Sequence, residues 1–207
     1  MSILYRAHFV TSAAQLRQLP PAGPPEVCFV GRSNVGKSSA INVLTNQRRL
    51  AHASKTPGRT RLINFFGIPD PIDKEASLGY LVDLPGYGYA AVDKQQKQQW
   101  EELIGGYLQR RSSIAGIVLL VDIRRGLTPL DTHLAQWIAP TQKPVLILAT
   151  KADKMAYGRR MQTIAAIQKE WQRYSHSQVM PFSSTQRIGL DEVTTQIENW
   201  ISPKVVP

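Results

Sequence analysis

The stretch EVCFVGRSNVGKSSAINVLTN, residues 26–46, carries the strongest motif in the sequence. It begins with a short apolar run that ends in glycine, which predicts a buried strand over residues 26–31. Residues 38–46 follow as a predicted helix. Between the two, GRSNVGKS from Gly31 to Ser38 satisfies the pattern G-x-x-x-x-G-K-[ST] in the strand-to-helix context that its mechanism requires. The stretch therefore predicts a phosphate-binding loop, or P-loop.

This loop offers three kinds of contact to a nucleotide. Its glycines let the backbone curl so that N–H groups point at phosphate oxygens beside the positive end of the helix. Lys37 is predicted to reach the β- and γ-phosphates, and the Ser38 hydroxyl is predicted to bind Mg²⁺. The alternative is a chance match in a glycine-bearing turn. The candidate ligands are Gly31, Arg32, Ser33, Asn34, Val35, Gly36, Lys37 and Ser38.

The base that the site recognises is indicated by TKAD, residues 150–153, directly after the apolar run PVLILAT. Ligands of open α/β sheets bind at such strand ends. Asp153 can accept hydrogen bonds from N1–H and the 2-amino group of guanine, whereas adenine would leave this carboxylate unpaired. The stem of Lys151 can cover the face of the base. Short Lys-Asp strings are common on surfaces, so the preceding strand and the upstream P-loop favour guanine here. The candidate ligands are Thr150, Lys151, Ala152 and Asp153.

Three further segments are candidates for sensing the metal, the γ-phosphate and the base. In LVDLPGYGYAA (81–91), Asp83 is predicted to hold Mg²⁺ through water, and the Gly86 N–H to contact the γ-phosphate. In KTPGRT (55–60), Thr60 is predicted to place its hydroxyl on Mg²⁺ only while the γ-phosphate is present. Taken alone, Thr60 would be an ordinary turn threonine. In FSS, the backbone N–H groups of Phe182, Ser183 and Ser184 are predicted to face the guanine carbonyl.

Strands and helices alternate outward from the P-loop and predict an α/β fold. The apolar runs at residues 61–67 and 78–84 are predicted to form a hairpin. The runs at residues 116–122 and 144–150 are continuously apolar, which suits strands that are covered on both faces. Helical stripes lie between them, so we expect a largely parallel sheet with helices on both faces, a three-layer arrangement. The predicted strands after the first are 61–67, 78–84, 116–122, 144–150 and 179–182, and the predicted helical stripes lie in 100–108, 161–171 and 190–201.

The Pro-rich stretch LPPAGPPE (19–26) suggests how the chain is divided. It separates a leader, residues 1–25, from one domain over residues 26–202, and residues 203–207 form a short tail. The stretch is too short to link two domains. We therefore expect the leader to pack on the domain, at an edge of the sheet.

Composition limits the possible partners and compartment. Lys+Arg 25 against Asp+Glu 15 gives a formal charge of +10, which favours a polyanionic partner, with nucleic acid ahead of a membrane surface. A merely well-solvated surface is the alternative. The one cysteine, Cys28, excludes a disulfide framework and indicates a reducing compartment. Neither an apolar run long enough for a membrane span nor a secretion signal is visible, so we expect a cytoplasmic protein.

Several motifs in this order resemble those of the EngB (YihA/YsxC) family of bacterial GTPases. They are GRSNVGKSS, SKTPGRTRLINFF, VDLPGYGYA, TKAD and FSS. The resemblance extends from about Tyr5 to Ile201. It implies a P-loop GTPase (Ras-like) fold with six strands, one of them antiparallel, and Mg²⁺-dependent GTP hydrolysis. It also implies a role in late assembly of the large ribosomal subunit, and a requirement for normal cell division and septation.

The resemblance also implies the site residues and partners. Ser38 and Thr60 would contact Mg²⁺ directly and Asp83 through water. The implied nucleotide contacts beyond the P-loop are Gly58, Arg59, Thr60, Arg61 and Leu62; Asp83, Leu84, Pro85 and Gly86; Thr150 to Asp153; and Phe182 to Ser184. The implied partners are GTP and GDP, the large-subunit precursor and its rRNA, with the chain acting as a monomer.

Two departures from the wider GTPase pattern bear on catalysis. The residue after Gly86 is commonly a glutamine that orients the attacking water, but here it is Tyr87, which cannot do so. The base motif commonly starts with asparagine, whereas here Thr150 offers a hydroxyl to brace the P-loop. We therefore predict slow intrinsic hydrolysis that depends on Lys37, Thr60, Mg²⁺ and backbone N–H groups. Asn34 occupies the place of the asparagine that binds K⁺ in related cation-activated GTPases, so this resemblance implies a catalytic K⁺ near the phosphates at Asn34. The alternative for Asn34 is a turn residue that braces the loop.

Positive charge near the γ-phosphate-sensing stretch indicates an rRNA contact that forms in one nucleotide state. The arginine pairs at 124–125 and 159–160 are further candidates, although such pairs are commonly plain surface. Tyr87 and Tyr89 are predicted to stack on a base, to pack on a partner or to pack against the domain itself. The positively charged residues in and near the γ-phosphate-sensing stretch are Arg48, Arg49, Lys55, Arg59 and Arg61.

Two other functions compete with a ribosome-assembly GTPase. One is a GTP-gated binding module that acts directly on the septation machinery with incidental turnover. The other is a metabolic P-loop kinase, against which TKAD argues.

Overall fold

The computed structural model of the chain describes residues 1–52, 62–73, 76–88, 94–174 and 177–202, with only the backbone of residues 94–97. The strands are β1 (His8–Ala13), β2 (Glu26–Gly31), β3 (Ile63–Pro69), β4 (Ser77–Asp83), β5 (Ile114–Asp122), β6 (Val145–Thr150) and β7 (Ser177–Pro181). The helices are α1 (Lys37–Leu44), α2 (Lys94–Arg110), α3 (Pro129–Ile138), α4 (Tyr157–Trp171) and α5 (Leu190–Ile201). No helix in these ranges is long and apolar enough to cross a membrane.

The described strands form one seven-stranded sheet in the order β1-β3-β4-β2-β5-β6-β7. β3 pairs antiparallel with both β1 and β4, and the other pairs are parallel, so β3 alone runs against the rest. The expected mostly parallel sheet with one antiparallel strand is confirmed. The expected count of six strands is wrong by one, because β1 from the leader adds an edge strand.

Strand β5 shows why the fold has three layers. Ile117, Leu119 and Val121 belong to a buried cluster with side chains of α2, α3 and α4. Val118 and Leu120, which alternate with them, belong to a second cluster with side chains of α1 and α5. Because successive side chains of a strand point to opposite faces, an apolar run such as GIVLLVD must be covered on both sides. The helices on both faces confirm the expected three-layer α/β arrangement.

The parallel strands end at one edge of the sheet, and this edge collects the predicted motifs. Phe29 of β2 lies opposite Asp83, the last residue of β4. Asp122, which ends β5, lies opposite Thr150, which ends β6. Loops that leave the carboxyl ends of parallel strands therefore meet there, as open α/β sheets require.

The leader contacts the domain through its backbone and through buried side chains. Within β1 the register shifts between Phe9 and Thr11, which marks a bulge in the edge strand. The Ser2 hydroxyl donates to Glu198 of α5 at 2.7 Å, and Leu4 is fully buried. The division into leader, domain and tail stays a prediction, and residues 203–207 lie outside the described ranges.

Helix α3 was not predicted from the sequence. Its start has a clear local signal, since the Asp131 carboxylate accepts hydrogen bonds from the Thr128 N–H at 2.7 Å and from the Thr128 hydroxyl at 2.6 Å, with Pro129 in the first turn. This reciprocal capping arrangement satisfies N–H groups that a helix start leaves unpaired. The T-P-L-D string at residues 128–131 is therefore the signal that could have found α3.

Candidate nucleotide site

The P-loop has the tight backbone path that its glycines predict. A Cβ on Gly31 would lie 2.8 Å from the carbonyl oxygen of Leu120, so no larger residue fits there without movement. Gly36 precedes α1 with φ of 106°, a conformation that L-residues with side chains rarely adopt. Asn34 also has a positive φ of 61°, which asparagine tolerates better than most residues. The loop therefore curls between β2 and α1.

The other motifs hold this loop from two sides. The Thr150 hydroxyl donates to the Val35 carbonyl at 2.8 Å, and the Lys151 ammonium donates to the Asn34 carbonyl at 3.2 Å. From the opposite side, the Ser33 N–H donates to the Tyr87 carbonyl at 2.8 Å. TKAD, the P-loop and the DLPGY turn therefore form one hydrogen-bonded unit. The brace expected from the Thr150 hydroxyl is present.

The predicted metal and phosphate residues lie together at the start of α1. The ammonium of Lys37 forms an ion pair with the carboxylate of Asp83, which is 3% exposed. The half-buried Ser38 begins the same helix turn, and its hydroxyl lies 3.5 Å from the His52 carbonyl. The hydroxyl and the carboxylate are hard oxygen donors of the kind Mg²⁺ prefers. Among the described residues, no group of three or more His, Cys, Asp or Glu side chains is placed to hold a metal ion.

The predicted base-binding corner is built from the ends of β6 and β7. The Ser183 hydroxyl donates to the Asp153 carboxylate at 2.6 Å, and this hydrogen bond holds the pKa of Asp153 below its usual value. The Ala152 N–H donates to the Phe182 carbonyl at 3.1 Å. Ser183 therefore orients the carboxylate and keeps it ionised, so that it remains an acceptor. This role of Ser183 was not predicted from the sequence.

Tyr87 faces the interior instead of a ligand. Its side chain is 6% exposed, its hydroxyl donates to the Asp131 carboxylate, and its ring packs against Trp100 at 5.5 Å. Burial, and then the negative charge of Asp131, raises the pKa of Tyr87 well above its usual value. The Trp100 indole N–H donates to the Pro85 carbonyl at 3.0 Å. Of the three predicted roles for Tyr87, the structure favours packing against the domain.

A cavity of about 310 Å³ lies beside the P-loop. Arg32 and Ser33 line it from the loop, and Arg124, Arg125 and Thr128 line it from the segment between β5 and α3. Among the described residues, Arg32 Nε and Ser33 Oγ are buried without a hydrogen-bond partner. Buried polar groups are normally paired, so these two atoms are available to a ligand of the loop.

Part of the predicted site lies outside the described residues, namely Gly58, Arg59, Thr60 and Arg61. Tyr89 and Lys55 are outside them as well. Leu62, the last residue of that predicted segment, lies just before β3 and is 39% exposed. Leu84, Pro85 and Gly86 follow β4, and a Cβ on Gly86 would lie 3.1 Å from the Ser33 hydroxyl, so this turn approaches the P-loop closely.

The fold and this edge of the sheet define a P-loop GTPase. The family model described as a 50S ribosome-binding GTPase matches residues 26–151. The chain is 65% identical to the probable GTP-binding protein EngB of Bordetella pertussis over 207 residues, which is 100% of both chains. It is 50% identical to that of Thiobacillus denitrificans over 202 residues, 98% of this chain and 94% of the relative. The chain belongs to the EngB family of GTP-binding proteins.

Solved structures agree on the fold. The crystal structure of a probable GTP-binding protein engB superposes with a TM-score of 0.66 at 22% identity, covering 85% of this chain and 98% of that one. Era in complex with MgGDPNP and nucleotides 1506–1542 of 16S ribosomal RNA superposes with a TM-score of 0.68 at 24% identity, covering 90% and 59%. At these identities the likeness confirms the Ras-like fold alone.

Proposed function

We propose that this GTPase acts in the cytoplasm as a nucleotide switch in late assembly of the large ribosomal subunit. The observation that carries the switch is the hydrogen-bonded unit of P-loop, DLPGY turn and TKAD, because a ligand that moves one of the three must disturb the others. The ribosomal partner is supported by the family description as a 50S ribosome-binding GTPase. The charge of +10 suits a contact with rRNA.

The proposed binding step begins with the ion pair between Lys37 and Asp83. When GTP enters, its β- and γ-phosphates compete with Asp83 for the ammonium, and Lys37 turns to them. Asp83 is then left beside the triphosphate with Ser38, and together with Thr60 these residues would hold Mg²⁺. A bound Mg²⁺ would neutralise charge on the phosphate oxygens. Asp153 selects guanine, held in orientation by the Ser183 hydroxyl.

Intrinsic hydrolysis is proposed to be slow because Tyr87, the residue directly after Gly86, does not orient water. The Tyr87 hydroxyl donates to Asp131, and burial raises the pKa of Tyr87 still further above neutral. Charge stabilisation then falls to Lys37 and to a K⁺ ion at the exposed side chain of Asn34. Hydrolysis in K⁺ should exceed that in Na⁺, and Asn34→Ala should remove the difference. Equal rates in both cations for the unaltered protein would contradict the K⁺ role.

A requirement for cell division and septation follows, in this proposal, from failing ribosome assembly. The second candidate, a GTP-gated module that binds septation machinery directly, rests on the same switch. The two differ in whether ribosomal particles stimulate phosphate release.

Co-sedimentation with large-subunit precursors tests the proposal. The protein should co-sediment in the presence of a non-hydrolysable GTP analogue and much less with GDP, and the particles should raise its rate of phosphate release. Lys37→Ala, which loses the phosphate contact, is the control that should behave alike with both nucleotides. No stimulation and no nucleotide-dependent co-sedimentation would favour the septation module.

A further inference from the structure

An open groove lies at the β1 edge of the sheet, formed by the leader and by the segment that follows α1. Its volume is about 980 Å³. We call this feature the β1 groove. It is lined by Phe9, Gln47, Arg48, Arg49, Leu50 and His52.

The segment that carries the arginines is held in place by polar contacts. The Asn42 side chain accepts from the Ala51 N–H at 2.7 Å and donates to the Ala51 carbonyl at 2.9 Å, which closes the segment into a loop on α1. The Gln47 amide donates to the Ala7 carbonyl at 2.6 Å, which ties this loop to the leader. The arginines therefore project from an ordered backbone, and a ligand would not have to order that backbone on binding.

Phe9 gives the groove an aromatic surface. Its side chain is 56% exposed, and its ring meets the ring of Phe66 edge-on, with centroids 6.3 Å apart. The neighbouring Val10 is 41% exposed, and β1 is the outermost strand of the described sheet. An exposed aromatic ring on an edge strand with open space beside it is free to stack on a flat ligand.

The charge of the groove is positive. Arg48, Arg49 and His52 are all exposed, and none of the described residues that line the groove is acidic. None of the ion pairs found among the described residues involves Arg48 or Arg49. An exposed aromatic ring that shares a groove with two exposed arginines is a combination that binds single-stranded nucleic acid, because every base has a stacking face and every nucleotide a phosphate.

We propose that the β1 groove binds an unpaired RNA segment, with a base stacked on Phe9 and the flanking phosphates on Arg48 and Arg49. Identifying that segment as part of rRNA rests on the function proposed above. No residue that lines the groove binds nucleotide in that proposal, but the two sites adjoin, because the carbonyl of His52 lies 3.5 Å from the Ser38 hydroxyl. His52 is the last described residue before the stretch that holds Thr60, so sequence continuity links the RNA site to the γ-phosphate sensor.

The test measures binding of a fluorescently labelled single-stranded RNA oligonucleotide over a range of salt concentrations. The double variant Arg48→Ala with Arg49→Ala should weaken binding about ten-fold and reduce the salt slope by about 1.4, the value for two phosphate contacts to a single strand. The matched control is Lys169→Ala with Arg173→Ala. It removes the same charge from exposed positions at the end of α4, which packs on β7 at the opposite edge of the sheet.

Phe9 is tested by two substitutions that keep its apolar contact with Phe66. Phe9→Leu removes stacking and should weaken RNA binding about ten-fold, whereas Phe9→Trp should retain it. Affinity for GTP should be unchanged in all of these variants, which verifies that they fold.

The outcomes separate this inference from the proposed function. Equal losses in the Arg48/Arg49 and Lys169/Arg173 variants, or equal binding by Phe9→Leu and Phe9→Trp, would overturn the β1 groove as an RNA site. So would binding of large-subunit particles that depends on Phe9 but not on salt, since that would indicate a protein partner. If the groove variants lose RNA binding while the unaltered protein ignores large-subunit precursors, the groove stands and the ribosomal function fails.

Discussion

The two ends of strand β2 differ in how their polar groups are satisfied. At its first residue, the buried Glu26 carboxylate accepts from the Arg111 guanidinium at 2.9 Å, from the Ser113 hydroxyl at 2.8 Å and from the Tyr107 hydroxyl. At its last residue the chain enters the P-loop, where two buried polar atoms lack partners among the described residues. We call the end at Glu26 the closed end of β2, and the end that enters the P-loop the open end.

The same chemical pair occurs at both ends with different consequences. Tyr107 donates to Glu26 at the closed end, and Tyr87 donates to Asp131 beside the open end. In each pair burial is the main reason that the pKa of the tyrosine is raised. Tyr107 lies within α2, whereas Tyr87 lies on the turn that contacts the P-loop. We infer that the buried pair of Tyr107 and Glu26 stabilises the fold, whereas the buried pair of Tyr87 and Asp131 positions a functional loop.

The largest expected effect is at the open end. Asp153→Asn should weaken GTP binding at least about a hundred-fold, because two hydrogen bonds from guanine to a charged acceptor, each about 1.5–3 kcal/mol, are lost or weakened. Titration calorimetry with GTP and with xanthosine triphosphate measures the change. The variant should prefer xanthine, and an unaltered preference for guanine would remove Asp153 from the base site.

The next effect is at the closed end. Arg111→Ala leaves the Glu26 carboxylate, which is 1% exposed, without its ionic partner and should lower the free energy of unfolding by about 3–5 kcal/mol. Urea denaturation measures the loss. Arg110→Ala is the matched control, because Arg110 is the exposed last residue of α2 and directly precedes Arg111. If the two variants unfold at the same urea concentration, the closed end does not stabilise the fold as described.

Substituting Tyr107 and Tyr87 in the same way tests whether the two ends of β2 differ in function. Tyr107→Phe and Tyr87→Phe should each lower the free energy of unfolding by about 1–3 kcal/mol, because each removes a donor from a buried carboxylate. Only Tyr87→Phe should raise the dissociation rate of GDP, since it loosens the turn whose carbonyl accepts from Ser33. Displacement of a fluorescent GDP analogue measures that rate. Equal dissociation rates in the two variants would show that Tyr87 has no part in positioning the P-loop.

The smallest effect concerns pH. Hydrogen bonds from Arg124, and from Lys151, hold the pKa of Asp122 well below the usual value of 3.8. A depressed pKa adds stability that is present above the unfolded-state value and is lost as pH falls below it. When the pH falls from neutral to below about 3.8, the free energy of unfolding of the Asp122→Asn variant should therefore decrease less than that of the unaltered protein. Thermal unfolding across that range measures the difference, and identical slopes would contradict it.

The predictable parts of the site are those in which one local pattern determines the backbone. The glycines of GRSNVGKS determine the curl of the loop, and TKAD follows an apolar strand that had to end at the same sheet edge. The helix cap at Thr128 was equally local, yet α3 was not predicted from it. The positions of Ser183 on Asp153 and of Tyr87 on Asp131 were not predictable, because these contacts join residues separated by 30 and 44 positions along the chain. No regular spacing of residue types along the sequence indicates which distant residues form such pairs.

Short motifs were enough to assign the class of protein, because phosphate and base recognition depend on residues that are consecutive in the chain. The packed fold was needed to show that β1 forms an edge of the described sheet and that Phe9 and Arg48 line the same groove. It also decided that Tyr87 is buried instead of facing a partner. The physical reason is that burial and unpaired charge depend on which distant segments pack together, and packing depends on the shape of the whole fold.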